Sequence, residues 1–186
     1  LGYHDSGMTG WQQNDDPLSF VQADLDSTGR RLADLLDAED ADVLVTYDWH
    51  GNYGHPDHIK AHQVAYRAAD LARRRPRVLE QTMNRDDLGR MAARAAALGI
   101  NLGAEEMLGD DGRPLGMPES DLGWRVDVRS VLDRKRAALA AHGSQSDIQW
   151  MLSVPPEAFE VWMGSEYFRG EPQPSPMVDG WPFPDG

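Results

Sequence analysis

At 186 residues, 40% hydrophobic and 26% charged, the chain can bury one sizeable core, and its formal net charge of −13 makes nucleic acid and anionic membrane surfaces poor partners. It has no cysteine, which excludes disulfides, thiolate catalysis and cysteine zinc sites, so any metal must be held by His, Asp or Glu. No apolar run approaches the roughly 18 residues of a membrane helix and no signal-peptide pattern opens the chain, so a cytoplasmic location is expected.

Residues 1–19, rich in Gly, Asp, Asn and Gln, predict a loop. Residues 20–38 place Phe20, Val21, Leu25, Leu32, Leu35 and Leu36 at helical spacing. Ala41–Tyr47, ADVLVTY, has the valine-rich pattern of a buried parallel strand, and DWHGNYGHP at 48–56 predicts a loop. From Asp57 the apolar residues Ile59, Val64, Ala65, Ala68, Leu71 and Ala72 again follow a helix, with Pro56 suited to its first turn. Residues 77–83 predict a second strand. Asn84 then caps a helix carrying Leu88, Met91, Ala92, Ala95 and Leu98, closed by Gly99.

Residues 101–123 mix glycines, prolines and acids, and predict a mobile connection that could serve as a lid. A strand follows at 124–128, then a helix over Ser130–His142 with His142-Gly143 as its C-cap. A short helix is expected at 155–163 and a short strand at 166–169. The Pro- and Gly-rich tail from Gly170 is expected to be irregular. This alternation predicts one α/β domain over residues 1–186, with chemistry gathered in the 48–56 loop beyond a strand's carboxyl end.

Three of the six histidines lie in GHPDHIKAH. His58 and His62 stand i, i+4 on a helix and can chelate one ion; His55 sits at the helix mouth. Asp57 can orient an imidazole through its ring N–H, or simply favour the helix dipole. Taken singly, His4, His50 and His142 read as surface or satisfied core residues. The cluster, so dense and directly behind a strand, reads as a site.

The stretch ADVLVTYDWHGNYGHPDHIKAH resembles the second signature of the LmbE-like (PIG-L) deacetylases, a strand ending in Tyr-Asp, a Gly-rich loop, then Gly-His-Pro-Asp-His. LGYHDSGM is similar to that family's Leu-Gly-x-x-Asp-Ser-Gly-Met segment, and VDVRSVLDRKRAALAAHGSQ to its late helix ending in Ala-His-x-Ser-Gln. The resemblance implies a Rossmann-like, mainly parallel sheet flanked by helices. It implies a Zn2+-dependent hydrolase (another divalent ion such as Fe2+ serving in some cases) that removes acetyl from a small N-acetylglucosamine-type sugar. His58 is then a metal ligand and His62 a helix-face residue, against the spacing argument. His55, aligned by Asp57, stabilises the oxyanion and protonates the leaving amine. Tyr53 covers the acetyl group, Asp5 holds a sugar hydroxyl, and His142 and Gln145 line the pocket. Asp5, in Asp-Ser-Gly, reads equally as an Asx-turn.

The family's first signature, Ala-His-Pro-Asp-Asp-Glu, has no counterpart; His-Pro-Asp occurs only at 55–57. Asp48 and His50, with Asp5, could replace it, but their spacing does not support this. The expectation is therefore the C-terminal portion of a larger domain, its N-terminal strands missing, inactive alone and weak for zinc. A preceding segment or a second copy should cover the open edge at 41–47. The alternatives are an amidase acting on a mycothiol-like conjugate and a non-catalytic sugar- or metal-binding remnant.

Overall fold

A computed structural model of the chain describes residues 1–97, 108–143 and 146–183. Helix α1 (Leu25–Ala38) begins where the Asp24 carboxylate accepts the Ser27 N–H at 2.8 Å, a cap that satisfies one of the first-turn donors. The helix is shorter than the 20–38 span predicted from spacing. Phe20 and Val21 belong to a preceding turn, where the Val21 N–H donates to Ser6 Oγ.

Strand β1 (Val43–Tyr47) leads through a one-turn helix, α2 (Gly51–Gly54), into α3 (Pro56–Leu71), which starts on Pro56. Strand β2 (Arg77–Thr82) follows, and then α4 (Arg85–Ala97). Asn84 Oδ1 accepts the N–H groups of Asp86 and Asp87, the cap expected of it. The expected close of this helix at Leu98-Gly99 lies outside the described residues.

Next come β3 (Trp124–Asp127), a 3-10 turn at Arg129–Val131 and α5 (Leu132–Ala140). The turn takes the place of the predicted start of the Ser130–His142 helix. Helix α6 (Ser146–Ser153) and the two-residue strand β5 (Val178–Asp179) were not expected, whereas α7 (Pro156–Met163) and β4 (Ser165–Arg169) fall where predicted.

The five strands form one sheet in the order β1-β2-β4-β3-β5. β1 and β2 pair in parallel, as do β3 and β5, while β4 runs against both its neighbours. Four strands therefore point one way, giving the α/β, mostly parallel sheet flanked by helices that was expected. Leu44 faces α1 and α3, where Ala33, Leu36 and Ala68 close a core. Leu79 faces the other way, into Trp124, Val126, Val128 and Phe168.

Two expectations fail. β1 has the open edge expected of it among the described residues, but its face at Val45 is not covered, and that residue is 45% exposed rather than buried. Its run of apolar residues suits a strand covered on both faces and both edges, but among the described residues it has a neighbour on one edge only. The lid reading of 101–123 also fails for the part described, 101–107 lying outside it. Met117 and Leu122 are buried with Tyr167, and the Met117 N–H donates to the Met83 carbonyl at 2.9 Å. Among the described residues, no helix is long and apolar enough to cross a membrane.

Candidate active site at the mouth of helix α3

The chain leaves β1 through Asp48, which is fully buried. One carboxylate oxygen accepts the N–H groups of His50 and Asn52, each at 2.9 Å, and the other accepts the Thr82 hydroxyl. Asp48 is thus spent on shaping the loop. His50 is also buried and turns away to Asp111, its Nε2 lying 2.9 Å from both carboxylate oxygens. The Asp48–His50 pair considered as a substitute metal site does not form.

Gly51 brings the loop back against α3. It has φ +65°, and a Cβ there would lie 2.7 Å from the His58 Cβ, so glycine is required by both backbone and space. The contact sets the His58 ring. Its Nδ1 lies 3.3 Å from the Gly51 carbonyl, which can only accept, so Nδ1 carries the proton and the Nε2 lone pair is left available. The ring stacks on Tyr47, with centroids 3.9 Å apart at 6°, and meets the Tyr53 ring edge-on at 5.0 Å. Burial first, and His55 second, hold the His58 imidazole below its ordinary pKa, in the neutral form a metal needs. A backbone carbonyl behind the other ring nitrogen is the usual support for a metal-binding histidine.

His55 carries the opposite arrangement. It caps α3, and its Nδ1 accepts the Asp57 N–H at 3.1 Å, so the ring proton resides on Nε2. The two imidazoles are 4.8 Å apart between centroids, and Tyr53 stands edge-on to His55 at 6.0 Å. His55, His58 and Tyr53 are therefore brought together.

The expected alignment of His55 by the Asp57 side chain is replaced by this backbone contact. The Asp57 carboxylate is taken by Ser6, through the Ser6 N–H at 2.9 Å and the Ser6 hydroxyl at 2.5 Å. Asp5 prepares that contact. Its Oδ1 accepts the Gly7 N–H at 2.7 Å, the Asx-turn predicted for Asp-Ser-Gly, while its side chain stays exposed. Ser6 is completely buried, and its role was not read from the sequence, where the Asp-Ser-Gly segment was the available signal.

His62 faces the sheet. Its Nδ1–H donates to the Tyr47 carbonyl at 3.0 Å, and Glu80 lies 3.8 Å away, bound in turn by the Tyr66 hydroxyl. His4 is exposed and pairs with Asp16. His142 is exposed in the turn after α5, and no hydrogen bond or ring contact joins it to the 48–58 loop, so its expected place in the pocket finds no support. Gln145 lies outside the described residues.

Among the described residues no group of three or more His, Asp or Glu could hold a metal ion. A catalytic zinc takes about three protein ligands. His58 fits as one of them, and the described residues do not supply the complete set.

No family model matches the chain. It is 39% identical over 146 residues to the 1D-myo-inositol 2-acetamido-2-deoxy-alpha-D-glucopyranoside deacetylase of Acidothermus cellulolyticus, covering 77% of this chain and 49% of that protein. It is 34% identical over 189 residues to the deacetylase of the same name from Salinispora arenicola, covering 96% and 60%. The one from Thermobispora bispora is 34% identical over 197 residues, covering 99% and 64%. The chain thus spans from about half to under two thirds of the length of these curated relatives.

Proposed function

The chain belongs to the LmbE-like (PIG-L) family, and from that premise we propose that it is the C-terminal portion of a metal-dependent N-deacetylase acting on an N-acetylglucosamine-type glycoconjugate. The observation that carries this reading is the opposed polarity of two adjacent imidazoles. His58 presents a lone pair at Nε2 and His55 presents an N–H at Nε2, because their Nδ1 atoms face an acceptor and a donor respectively. One ring suits an electrophile and the other a developing anion.

Zinc, or another divalent ion such as Fe2+, supplies carbonyl polarisation and an acidified water when bound. Within this chain His58 is one ligand to it; the remaining ligands and the general base are not assigned to the described residues. The His55 Nε2–H donates a hydrogen bond to the oxyanion formed at the acetyl carbonyl. The departing sugar nitrogen takes the proton that the general base removes from the attacking water, because His55, with Nδ1 accepting the Asp57 N–H, has no second ring proton to give. The Tyr53 ring stands edge-on to both imidazoles and restricts water at the acetyl group. The exposed carboxylate of Asp5 accepts from a sugar hydroxyl in this reading. No covalent nucleophile is required.

A second reading, a non-catalytic sugar- or metal-binding remnant, is favoured by one observation, the lack of a three-ligand group among the described residues. The test uses the whole protein that contains this chain, loaded with zinc, and follows acetate and free amine from N-acetylglucosamine joined to an acceptor. Acetate and amine released in equal amounts support the deacetylase. Metal-loaded protein that releases no acetate overturns it, and release of a larger acyl fragment from a mycothiol-like conjugate would identify an amidase.

A further inference from the structure

A turn far along the chain, residues 108–117, braces the loop that carries Tyr53 and His55. The Asp110 N–H donates to the Tyr53 carbonyl at 2.6 Å and the Gly116 N–H to the Asn52 carbonyl at 2.9 Å. Gly109 lies so close that a Cβ there would be 2.4 Å from the Tyr53 carbonyl oxygen. Beneath these contacts the buried His50 donates through Nε2 to the Asp111 carboxylate, which also accepts the Arg113 N–H at 3.0 Å. Arg113 in turn stands over the Trp49 ring, 5.7 Å from its centroid. The Asp110 carboxylate accepts the Thr9 N–H, so the same turn is tied to the segment whose Ser6 grips Asp57.

The loop needs such a brace. Asn52 has φ +64°, a conformation that a non-glycine residue keeps only where its surroundings impose it. The brace acts on the backbone between His50 and His55, the stretch that orients the Tyr53 and His55 rings.

We propose that Asp111 is a positioning residue of the deacetylation site: through buried His50, and through the Tyr53 carbonyl held by its neighbours, it keeps Tyr53 and His55 turned toward His58. This inference rests on the function proposed above. Asp111 does not touch the acetyl group; it fixes the residues that do. Errors of about 1 Å in such groups cost on the order of 10²-fold in rate.

The test is made in the full-length, metal-loaded protein. Asp111→Ala is expected to lower kcat by about 10–100-fold, with metal content unchanged and KM affected far less. Asp111→Asn keeps an oxygen to accept from a neutral His50 ring and from the Arg113 N–H, and should restore most of kcat. Gly109→Ala displaces the Tyr53 carbonyl without altering any charge, and should lower kcat in the same way. It carries the test if Asp111→Ala fails to fold. Amide exchange should accelerate at residues 50–55 and not along the body of α3 or in β2. Wild-type kcat in both Asp111→Ala and Gly109→Ala would overturn the role, as would acceleration spread over the sheet and α3. If the wild-type protein deacetylates nothing, the functional reading falls, and the exchange pattern still decides the inference: acceleration confined to 50–55 supports it, and none there overturns it.

Discussion

Two regions lie beyond the carboxyl ends of parallel strands, and they differ in what their polar groups are free to do. One is a groove of about 770 Å3 lined by Arg125, Asp127, Arg129, Glu160 and Trp181. Its charges cancel in exposed pairs, Arg125 with Asp179 and Arg129 with Asp127. Such pairs stay solvated and are worth little. The other is the mouth of α3, where Ser6, Gly51 and the Asp57 N–H hold Asp57, His58 and His55 from behind. Each imidazole there is fixed by one nitrogen and leaves the other for chemistry. Volume does not mark the site; reactive atoms left unspent by well-held side chains do.

The sharpest way to break this contrast is kinetic. In the full-length protein His55→Ala should lower kcat by about 10²–10³-fold, the contribution of one placed oxyanion donor. A groove variant such as Trp181→Ala that lost as much would move the chemistry to the other region.

Ser6→Ala comes next. It removes the hydroxyl that Asp57 accepts from, and leaves the Val21 N–H without its acceptor. Hydrogen bonds to charged groups contribute about 1.5–3 kcal/mol, so urea unfolding should show a loss in that range. A loss within about 0.5 kcal/mol, as for an ordinary surface change, would mean that the Asp57 carboxylate is held elsewhere.

A smaller effect concerns pH. The fold favours the neutral ring of His58, whose proton affinity is lowered from the ordinary 6.5 by burial and then by His55. The stability this provides is complete above the unfolded value and is lost as pH falls through the lower folded value. Metal-free protein should therefore weaken below pH 6.5 more steeply than His58→Gln. Equal slopes would place the ring in solvent. The smallest effect is expected in the groove, where Arg129→Ala should leave kcat within about two-fold of wild type.

Much of the site region was legible because its signals are local. A valine run, a glycine-rich turn and Gly-His-Pro-Asp-His predict strand, loop and helix in order, and Pro56 and Asn84 take the positions their backbone chemistry favours. What was misread depends on distant partners. Asp57 is bound by a serine 51 positions away. The glycines and acids of 108–117 look like a loose connection, yet Gly109 and Gly116 are small because the backbones of Tyr53 and Met83 press on them. The open edge of β1 followed from the missing first signature, but the apolar pattern of the strand gives no hint that Val45 is left exposed. At the start of α1, Asp24 was a local cap signal that the apolar spacing of Phe20 and Val21 obscured.

The central claim, that His58 serves the metal and His55 the reacting amide, is tested most directly by metal content. The full-length protein, its His58→Ala variant and its His55→Ala variant would be loaded with zinc, dialysed and analysed for bound metal beside their deacetylation rates. The account predicts that His58→Ala loses both zinc and activity, while His55→Ala keeps wild-type zinc and loses rate. Equal loss of zinc from both variants, or zinc retained by His58→Ala, would contradict it.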